Sequence, residues 1–362
     1  MIQRAQFFRR SGVQLRQSPT DGSSAPGWTA GSGHGVQTTG SVHGMKGLEL
    51  SVTTAPDASL LREITALLDD VARVGGHPAL SEHKRMELQR RQPATDSPAA
   101  ADQVFVGVVA RAASRPGLTG YAQVDGDSRA REYAVEMAVA PNADDRPSVA
   151  DALLDASVRE VAALGGGSLR LWAAVATEAD DQRALAAGFE LERELVQMRC
   201  DLPLASSGAP DDPAIHTRAF RPGVDEEAWL ATNNRSFASH PEQGHWDLGD
   251  LLDREREPWF DPAGLRLLEA DGKLAGSCWT KIHDSTDPPL GEIYVIGLDP
   301  DFQGRGWGRA LTRAGLDWLA GRGLTVGMLY VDAANRPAVS LYRSMGFVED
   351  HVDRAYVTAV GP

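Results

Sequence analysis

The chain has 362 residues, of which 42% are hydrophobic and 24% are charged, and its formal net charge is −14. The length predicts two domains of roughly 150 residues each, and the negative charge argues against nucleic acid or an anionic membrane as a partner. No apolar run reaches the roughly 18 residues of a membrane-spanning helix. Two cysteines, Cys200 and Cys278, are too few for a disulfide scaffold and fit a reducing compartment. Histidine and cysteine spacings match no zinc motif, so we expect no metal.

Residues 1–45 are rich in Gly, Ser, Thr and Gln and show no aliphatic periodicity. Such a segment buries too little apolar surface to offset its ordering entropy, which predicts a disordered tail. Arg9 and Arg10 are not followed by an apolar stretch, so an export signal is not indicated. Met45 is a candidate for the natural start, and a native peptide from residues 1–44 would disprove that hypothesis.

From Leu48 onward the hydrophobic pattern becomes regular and predicts one α/β block. In chain order the predicted elements are a strand at 48–54, helices at 57–74 and 81–90, strands at 103–111, 118–125 and 132–139, a helix at 147–164, a strand at 168–175, a helix at 179–187 and two strands within 189–201.

Residues 203–213 form a Pro/Ser/Asp-rich linker, after which the same order of elements recurs. The predicted elements are a strand at 215–220, helices at 225–237 and 248–256, strands at 264–270, 273–283 and 290–298, a helix at 306–321, a strand at 325–331, a helix at 336–344 and strands within 347–359. Pro141 and Gly188-Phe189 match Pro300 and Gly346-Phe347 at nearly the same separation. We therefore predict two tandem α/β domains, at 46–202 and 214–362.

A glycine-rich loop follows the strand that ends at Leu298-Asp299-Pro300. The sequence Gln303-Gly-Arg-Gly-Trp-Gly-Arg309 opens an amphipathic helix. Its backbone N–H groups and the helix dipole would therefore favour an anion bound at the helix N-terminus. With Arg305 and Arg309 nearby, this pattern predicts a diphosphate site. The spacing fits neither a Walker A loop nor a dinucleotide fingerprint, and ordinary turn glycines remain the alternative.

Two motifs in the second repeat resemble signatures of the GNAT superfamily of N-acetyltransferases. They are Q-G-R-G-W-G-R after V-I-G-L-D-P, and Asn335-x-x-Ala338-x-x-x-Tyr342-x-x-x-Gly346-Phe347. The resemblance implies splayed mixed sheets flanked by helices, and acetyl-CoA as co-substrate, with its pantetheine arm in the opening. The residues that it assigns to acetyl-CoA are Ile296, Gly297 and Leu298 on the strand, Gln303, Gly304, Arg305, Gly306, Trp307, Gly308 and Arg309 in the loop, and Asn335, Arg336, Pro337, Ala338, Val339 and Ser340 on the last long helix.

The tandem arrangement, with His240-Pro-Glu-Gln-Gly244, G-E-I-Y-V-I-G-L-D-P and L-Y-V-D-A-A-N, resembles the mycothiol synthase family of actinobacteria. This resemblance covers about residue 48 to the C-terminus. It implies acetylation of the cysteinyl amine of desacetylmycothiol, a small-molecule conjugate of cysteine, glucosamine and inositol. We also expect a cytoplasmic protein, which the cysteine usage fits, and a monomer. The resemblance also assigns substrate contacts to Glu82, Glu242, Lys281 and Tyr330.

Acetyl transfer to an amine requires a base for the ammonium group and an acid for the leaving thiolate. Glu292 begins the strand that leads to the glycine-rich loop and is the candidate base, which also contacts the amine. Tyr342 is the candidate acid. Outside this motif a glutamate at the start of a strand is usually solvated and has no catalytic role. A tyrosine on an amphipathic helix is usually a packing residue. Direct transfer needs no nucleophile, so Cys278 is expected to belong to the core or the cleft wall.

The first repeat lacks these residues. Alignment places Tyr133 at the position of Glu292, places Asp144–Val149 at the glycine-rich loop, and places Thr177 and Ala184 at the positions of Asn335 and Tyr342. Two aspartates repel a diphosphate, so we predict a degenerate, non-catalytic domain. Met137, Ala138 and Val139 remain a weak second candidate site for acetyl-CoA, because backbone pairing does not depend on side chains.

Two alternatives stay open from the sequence. One is the same fold acting on an aminoglycoside, a polyamine or a protein amine. The other is an acyl-CoA sensor without catalysis, against which the pair of Glu292 and Tyr342 argues.

Overall fold

A computed structural model describes residues 38–41, 47–90, 102–205, 216–238, 244, 246–284 and 286–362. The described residues form two compact units. The C-terminal unit comprises Trp172–Leu185 and Phe189–Tyr356. The N-terminal unit comprises the described residues up to Leu171, with Ala186–Gly188 and Val357–Pro362. No helix among the described ranges is long and apolar enough to cross a membrane.

The N-terminal unit is a sheet with helices, as the alternating and 3.6-residue patterns predict. Its elements are β1 (Thr38–Ser41), β2 (Leu48–Thr53), α1 (Ala58–Gly75), α2 (Glu82–Arg90), β3 (Gln103–Ala112), β4 (Gly120–Asp127), β5 (Glu132–Val139), α3 (Arg146–Ala163) and β6 (Gly167–Ala173). The strands follow the order β1-β2-β3-β4-β5-β6. The side chain of Asp57 caps α1 by accepting from two backbone N–H groups, and Ile64 and Leu68 place the apolar stripe of this helix in the core.

Residues 1–45 are predicted to be disordered, but four of them form a strand. This strand, Thr38–Ser41, pairs antiparallel with β2. Backbone pairing at a sheet edge needs no apolar side chain, so the hydrophobic pattern carries no trace of it. The rest of that stretch, including Met45, lies outside the described residues.

The C-terminal unit is a mixed sheet with helices on both faces. Its elements are α4 (Glu178–Ala186), β7 (Glu190–Asp201), β8 (Thr217–Ala219), α5 (Glu226–Ser236), α6 (Leu248–Glu255), β9 (Leu265–Ala270), β10 (Lys273–His283), β11 (Leu290–Leu298), α7 (Trp307–Gly321), β12 (Val326–Asp332), α8 (Arg336–Ser344) and β13 (Val348–Val360). The strands follow the order β13-β7-β12-β11-β10-β9-β8. β11 and β12 run parallel.

Strand β7 precedes the linker in sequence but belongs to the C-terminal unit. It pairs antiparallel with β12 over the whole length of β12, from Leu195 opposite Asp332 to Asp201 opposite Val326. The compact unit therefore begins at Trp172, whereas the predicted domain boundary at 202 follows the repeat in sequence. The sequence predicts two strands within 189–201 and two within 347–359. In the structure each of these stretches forms one long strand, β7 and β13 respectively.

The two faces of this sheet carry different cores. Cys278 and Ile293 point toward α7 and α8, where they pack with Leu311 and Tyr342. The neighbouring residue Trp279 points to the opposite face, because successive side chains of a strand alternate. On that face an aromatic cluster forms with α5 and α6, made of Phe220, Trp229, Trp246, Trp259, Phe260, Trp279 and Tyr294.

Candidate active site

Strands β11 and β12 separate at Glu292. Their parallel pairing covers Leu290, Gly291 and Glu292, which lie opposite Val326, Gly327 and Met328. β11 continues to Leu298 paired with β10 on its other side, while β12 continues to Asp332 paired with β7. The described ladder therefore leaves one backbone edge of β11 available from residue 293 onward, which fits the splayed sheet expected from the sequence.

The side chain of Glu292 lies at this separation point and is only 1% exposed. Its Oε2 is 2.7 Å from Nε2 of His283, which is 25% exposed at its side chain. Lys281 stands directly opposite Glu292 in the β10–β11 ladder, and all three side chains share the face that carries the aromatic cluster. An acid, an imidazole and an ammonium group are thus brought together by two adjacent strands.

The aromatic cluster holds the ammonium group of Lys281. Its Nζ lies 4.4 Å from the ring centroid of Trp259 and 5.7 Å from that of Tyr294, a geometry in which ring quadrupoles stabilise a cation. The hydroxyl of Tyr294 accepts a hydrogen bond from Nε of Arg254 at 3.1 Å. A largely apolar wall with fixed positive charge therefore flanks the buried carboxylate.

Tyr330 lies on β12 and is oriented by a residue of β7. Its hydroxyl accepts a hydrogen bond from Nε2 of Gln197 at 2.7 Å, and Oε1 of Gln197 accepts one from Nε of Arg199 at 2.8 Å. Arg199 in turn pairs with Asp350 on β13 at 3.1 Å. The predicted substrate residue Tyr330 is therefore held by a network that begins before the linker.

The glycine-rich loop after β11 presents open backbone at the start of α7. Gly304 and Gly306 have φ of +77° and +79°, and a Cβ built on either would meet no atom within 4 Å. Gly306 is the N-cap of α7 and has no side chain to occupy the N–H groups of the first turn. These are the features of an anion site at a helix N-terminus. The space beside Gly304 and Gly306 is open to such an anion.

Three predicted side chains of this loop are held in place. The guanidinium of Arg305 lies 5.1 Å from the rings of both Phe302 and Trp307, Gln303 donates to the carbonyl of Leu298 at 3.2 Å, and Arg309 donates to the hydroxyl of Ser344 on α8. Arg305 and Arg309 therefore supply positive charge at this loop, and Gln303 supplies a contact to the end of β11.

Residues 335–340, the second predicted group, open α8. Asn335 is the N-cap and its Oδ1 accepts from the N–H of Ala338 at 3.2 Å. Further along the same helix Tyr342 is buried against Phe347, on the face that also carries Cys278. Burial raises the pKa of Tyr342 above its ordinary value, so its hydroxyl stays protonated at neutral pH and can serve as a donor.

The other two predicted substrate residues do not belong to the described residues of the C-terminal unit. Glu82 belongs to the N-terminal unit, where it is the first residue of α2. Glu242 lies outside the described residues.

The N-terminal unit differs at the matching positions. Helix α3 begins after Asp145, whose carboxylate accepts from the N–H of Ser148 at 3.2 Å and from its hydroxyl at 2.7 Å. The helix N-terminus therefore already holds an anion of the protein itself. Tyr133 is buried on β5 at the place of Glu292, and Met137–Val139 end the same strand.

His283 and Trp259 were not singled out by the sequence reasoning. His283 is two residues beyond Lys281 in a predicted strand, so the alternation of that strand could have placed both side chains on one face. Its approach to Glu292 depends on the register between β10 and β11. Trp259 lies in irregular chain after α6, where no periodicity indicates a direction.

The fold and the loop define the class of protein. The family model described as the Acetyltransferase (GNAT) family matches residues 225–347. Among solved structures, a GCN5-related N-acetyltransferase from Sphaerobacter thermophilus has the same fold, with 18% identity and a TM-score of 0.63 over 86% of this chain and 96% of that one. A tandem GNAT protein from the clavulanic acid biosynthesis pathway has 17% identity and a TM-score of 0.60 over 87% and 99%. The protein is a GNAT acyltransferase built from two tandem repeats.

Curated relatives narrow this class further. The mycothiol acetyltransferase of Acidothermus cellulolyticus is 41% identical over 80% of this chain and 88% of its own length. That of Streptomyces coelicolor is 42% identical over 82% and 90%. The chain belongs to the mycothiol acetyltransferase family.

Proposed function

We propose that the protein transfers the acetyl group of acetyl-CoA to the cysteinyl amine of desacetylmycothiol, giving mycothiol and CoA. The observation that carries the proposed transfer to an amine is the position of Glu292, whose buried carboxylate lies where β11 leaves β12. The acceptor is proposed from the mycothiol acetyltransferase relatives. An amine that enters the opening meets this base next to the free backbone edge of β11.

In the proposed reaction, Glu292 accepts a proton from the substrate ammonium group, directly or through water. The neutral amine then attacks the thioester carbonyl, and an N–H group of the segment Ile296–Leu298 stabilises the tetrahedral oxyanion. Collapse breaks the carbon–sulfur bond, and Tyr342 donates its proton to the leaving thiolate. The attacking nitrogen loses its second proton to solvent, which also returns a proton to Tyr342. Burial raises the pKa of Tyr342, so its hydroxyl is protonated at neutral pH and available as a donor.

Binding of acetyl-CoA is assigned to the loop and helix that the motifs identified. The diphosphate would accept hydrogen bonds from the open loop of Gln303–Arg309, and pantetheine would pair with the free edge of β11 and pass along Asn335–Ser340. The open space at Gly304 and Gly306 supports this assignment. The acceptor would be contacted by Glu82, Glu242, Lys281 and Tyr330, as the family resemblance implies.

The N-terminal repeat is proposed to be degenerate. Tyr133 cannot act as a base at the place of Glu292, and the Asp145 carboxylate occupies the helix terminus that a diphosphate would need. Any acetyl-CoA bound along Met137–Val139 would therefore be held weakly. We further propose that the protein acts in the cytoplasm as a monomer, where its free, buried cysteines stay reduced.

The test of the proposed reaction is release of free thiol from acetyl-CoA by the purified protein. Desacetylmycothiol, cysteine, glucosamine, a polyamine and an aminoglycoside are offered separately. Turnover confined to desacetylmycothiol supports both reaction and acceptor, whereas turnover with a different amine keeps the chemistry and rejects the acceptor. Binding of acetyl-CoA with no turnover on any amine favours the sensor hypothesis.

The role of Glu292 is tested by Glu292→Gln, which keeps the shape of the side chain and removes its basicity. We expect kcat to fall by about a hundredfold or more, as for loss of a general base, with acetyl-CoA affinity unchanged in calorimetry. An active Glu292→Gln enzyme would exclude Glu292 as the base.

A further inference from the structure

The contact between His283 and Glu292 has no part in the reaction proposed above. It joins the end of β10 to the start of the splayed segment of β11, with Nε2 of His283 2.7 Å from Oε2 of Glu292. The carboxylate is buried and the imidazole is partly exposed. A carboxylate removed from water is costly unless hydrogen-bond donors replace its hydration, so this contact bears on how Glu292 is held.

We propose that His283 is a positioning residue for the base, and that its Nε2–H group donates to Oε2 of Glu292 and fixes the plane of the carboxylate. This inference rests on the proposed function of Glu292. A hydrogen bond to an ionised oxygen is short and directional, and the 2.7 Å separation fits that kind of bond. Because the two strands set the distance between the backbones, the imidazole restricts rotation about the last bond of the glutamate side chain.

The ladder explains why His283 reaches Glu292. His283 pairs with Leu290, and Glu292 is two residues further along β11 on the same face. Diagonal neighbours in an antiparallel ladder are about 7–8 Å apart at Cα, a gap that a glutamate and a histidine together can span. Lys281, directly opposite Glu292, directs its ammonium group over Trp259 and Tyr294.

The proposed role predicts an effect on turnover more than on binding. The basic lone pair must face the substrate ammonium at the moment of transfer, and small misorientations of a reacting group slow the chemical step. His283 itself remains outside the reacting atoms, so the Michaelis constants for both substrates should change little.

Three substitutions separate the hydrogen bond from the bulk of the ring. His283→Gln carries an amide N–H to the position of Nε2, His283→Asn carries one only to the position of Nδ1, and His283→Phe keeps the ring without a donor. We expect kcat to fall by about ten- to a hundredfold in the Asn and Phe variants, the loss typical of a hydrogen bond to a charged group. The Gln variant should stay within about threefold of the wild type, because its donor reaches the same oxygen.

The same three substitutions are then made in the Glu292→Gln protein, with thermal unfolding and acetyl-CoA binding as controls for folding. No further loss of residual kcat in that background is the expected result, because His283 acts through the carboxylate. Equal losses in both backgrounds, or full activity of His283→Phe, would overturn the inference while leaving Glu292 as the base. Full activity of Glu292→Gln alone would overturn the proposed base and this inference together.

Discussion

Burial favours the neutral form of some titratable side chains in the C-terminal unit. Tyr342 illustrates this, because it is packed in the core between α8 and the sheet and its pKa is raised by burial. A tyrosine that stays protonated keeps an O–H group that can donate to the leaving sulfur, and it is unsuited to act as a base itself.

Replacing Tyr342 by phenylalanine tests this role. The ring and its packing remain, so we expect the melting temperature to change little, while kcat falls about ten- to a hundredfold because the thiolate leaves unprotonated. Thiol release and thermal unfolding measure the two effects. Tyr356→Phe is the matched control, because its hydroxyl bonds Asp181 at 2.6 Å and has no proposed part in transfer. An unchanged kcat in Tyr342→Phe would assign the proton to another donor.

The two cysteines provide a prediction about reactivity. Burial raises the pKa of Cys200 and of Cys278 to about 12, and the thiolate is the reactive form. At pH 8, well below these values, both thiols stay protonated, so iodoacetamide should modify neither cysteine in the native protein and both in urea. Mass spectrometry of the labelled protein distinguishes the outcomes. Rapid native labelling of Cys278 would reopen the nucleophile hypothesis that direct transfer makes unnecessary.

At the scale of elements, the close packing of α7 on β10 positions the glycine-rich loop that precedes this helix. Gly315 lies in the middle of α7, and a Cβ there would be 2.4 Å from Sγ of Cys278 on β10. The absence of a side chain on the helix therefore lets it approach the strand, and this approach sets where the N-terminus of α7 lies relative to the end of β11.

Gly315→Ala should destabilise the protein although alanine favours helices. We expect the clash with Cys278 to cost about 1–3 kcal/mol, as overpacking usually does, which exceeds the gain of roughly 0.5–1 kcal/mol from helix propensity. Urea unfolding measures the free energy. Gly321→Ala in the same helix, where a Cβ meets no atom within 4 Å, is the control and should not destabilise. Adding Cys278→Ala to Gly315→Ala should recover part of the loss, and no recovery would contradict the clash.

At the scale of the whole molecule, the two repeats in sequence are not the two compact units in space. β7 comes from the first repeat and pairs with β12 of the second, and through Gln197 it also holds Tyr330. The second repeat alone therefore lacks a strand of the sheet in the C-terminal unit.

Cutting the chain between 206 and 215 tests this arrangement. With a protease site engineered into the linker, we expect the two fragments to remain together in size-exclusion chromatography and to keep acetyl-CoA binding, because the β7–β12 ladder joins them without the covalent link. Denaturing electrophoresis verifies the cleavage, and the uncut variant is the control. Separation of the fragments under native conditions would show that this pairing does not hold the C-terminal unit together.

The sequence by itself determined the order of the elements, the tandem repeat and the presence of the two GNAT motifs. The reason is that these depend on contiguous residues: β10, β11 and α8 have the predicted bounds, since alternation and capping act within a few residues. Only the tertiary structure decided the position of β7, the hydrogen bond from Gln197 to Tyr330 and the contact of His283 with Glu292. Each depends on the register between paired strands, which for β7 and β12 are distant in sequence. One residue of slip would turn those side chains to the other face.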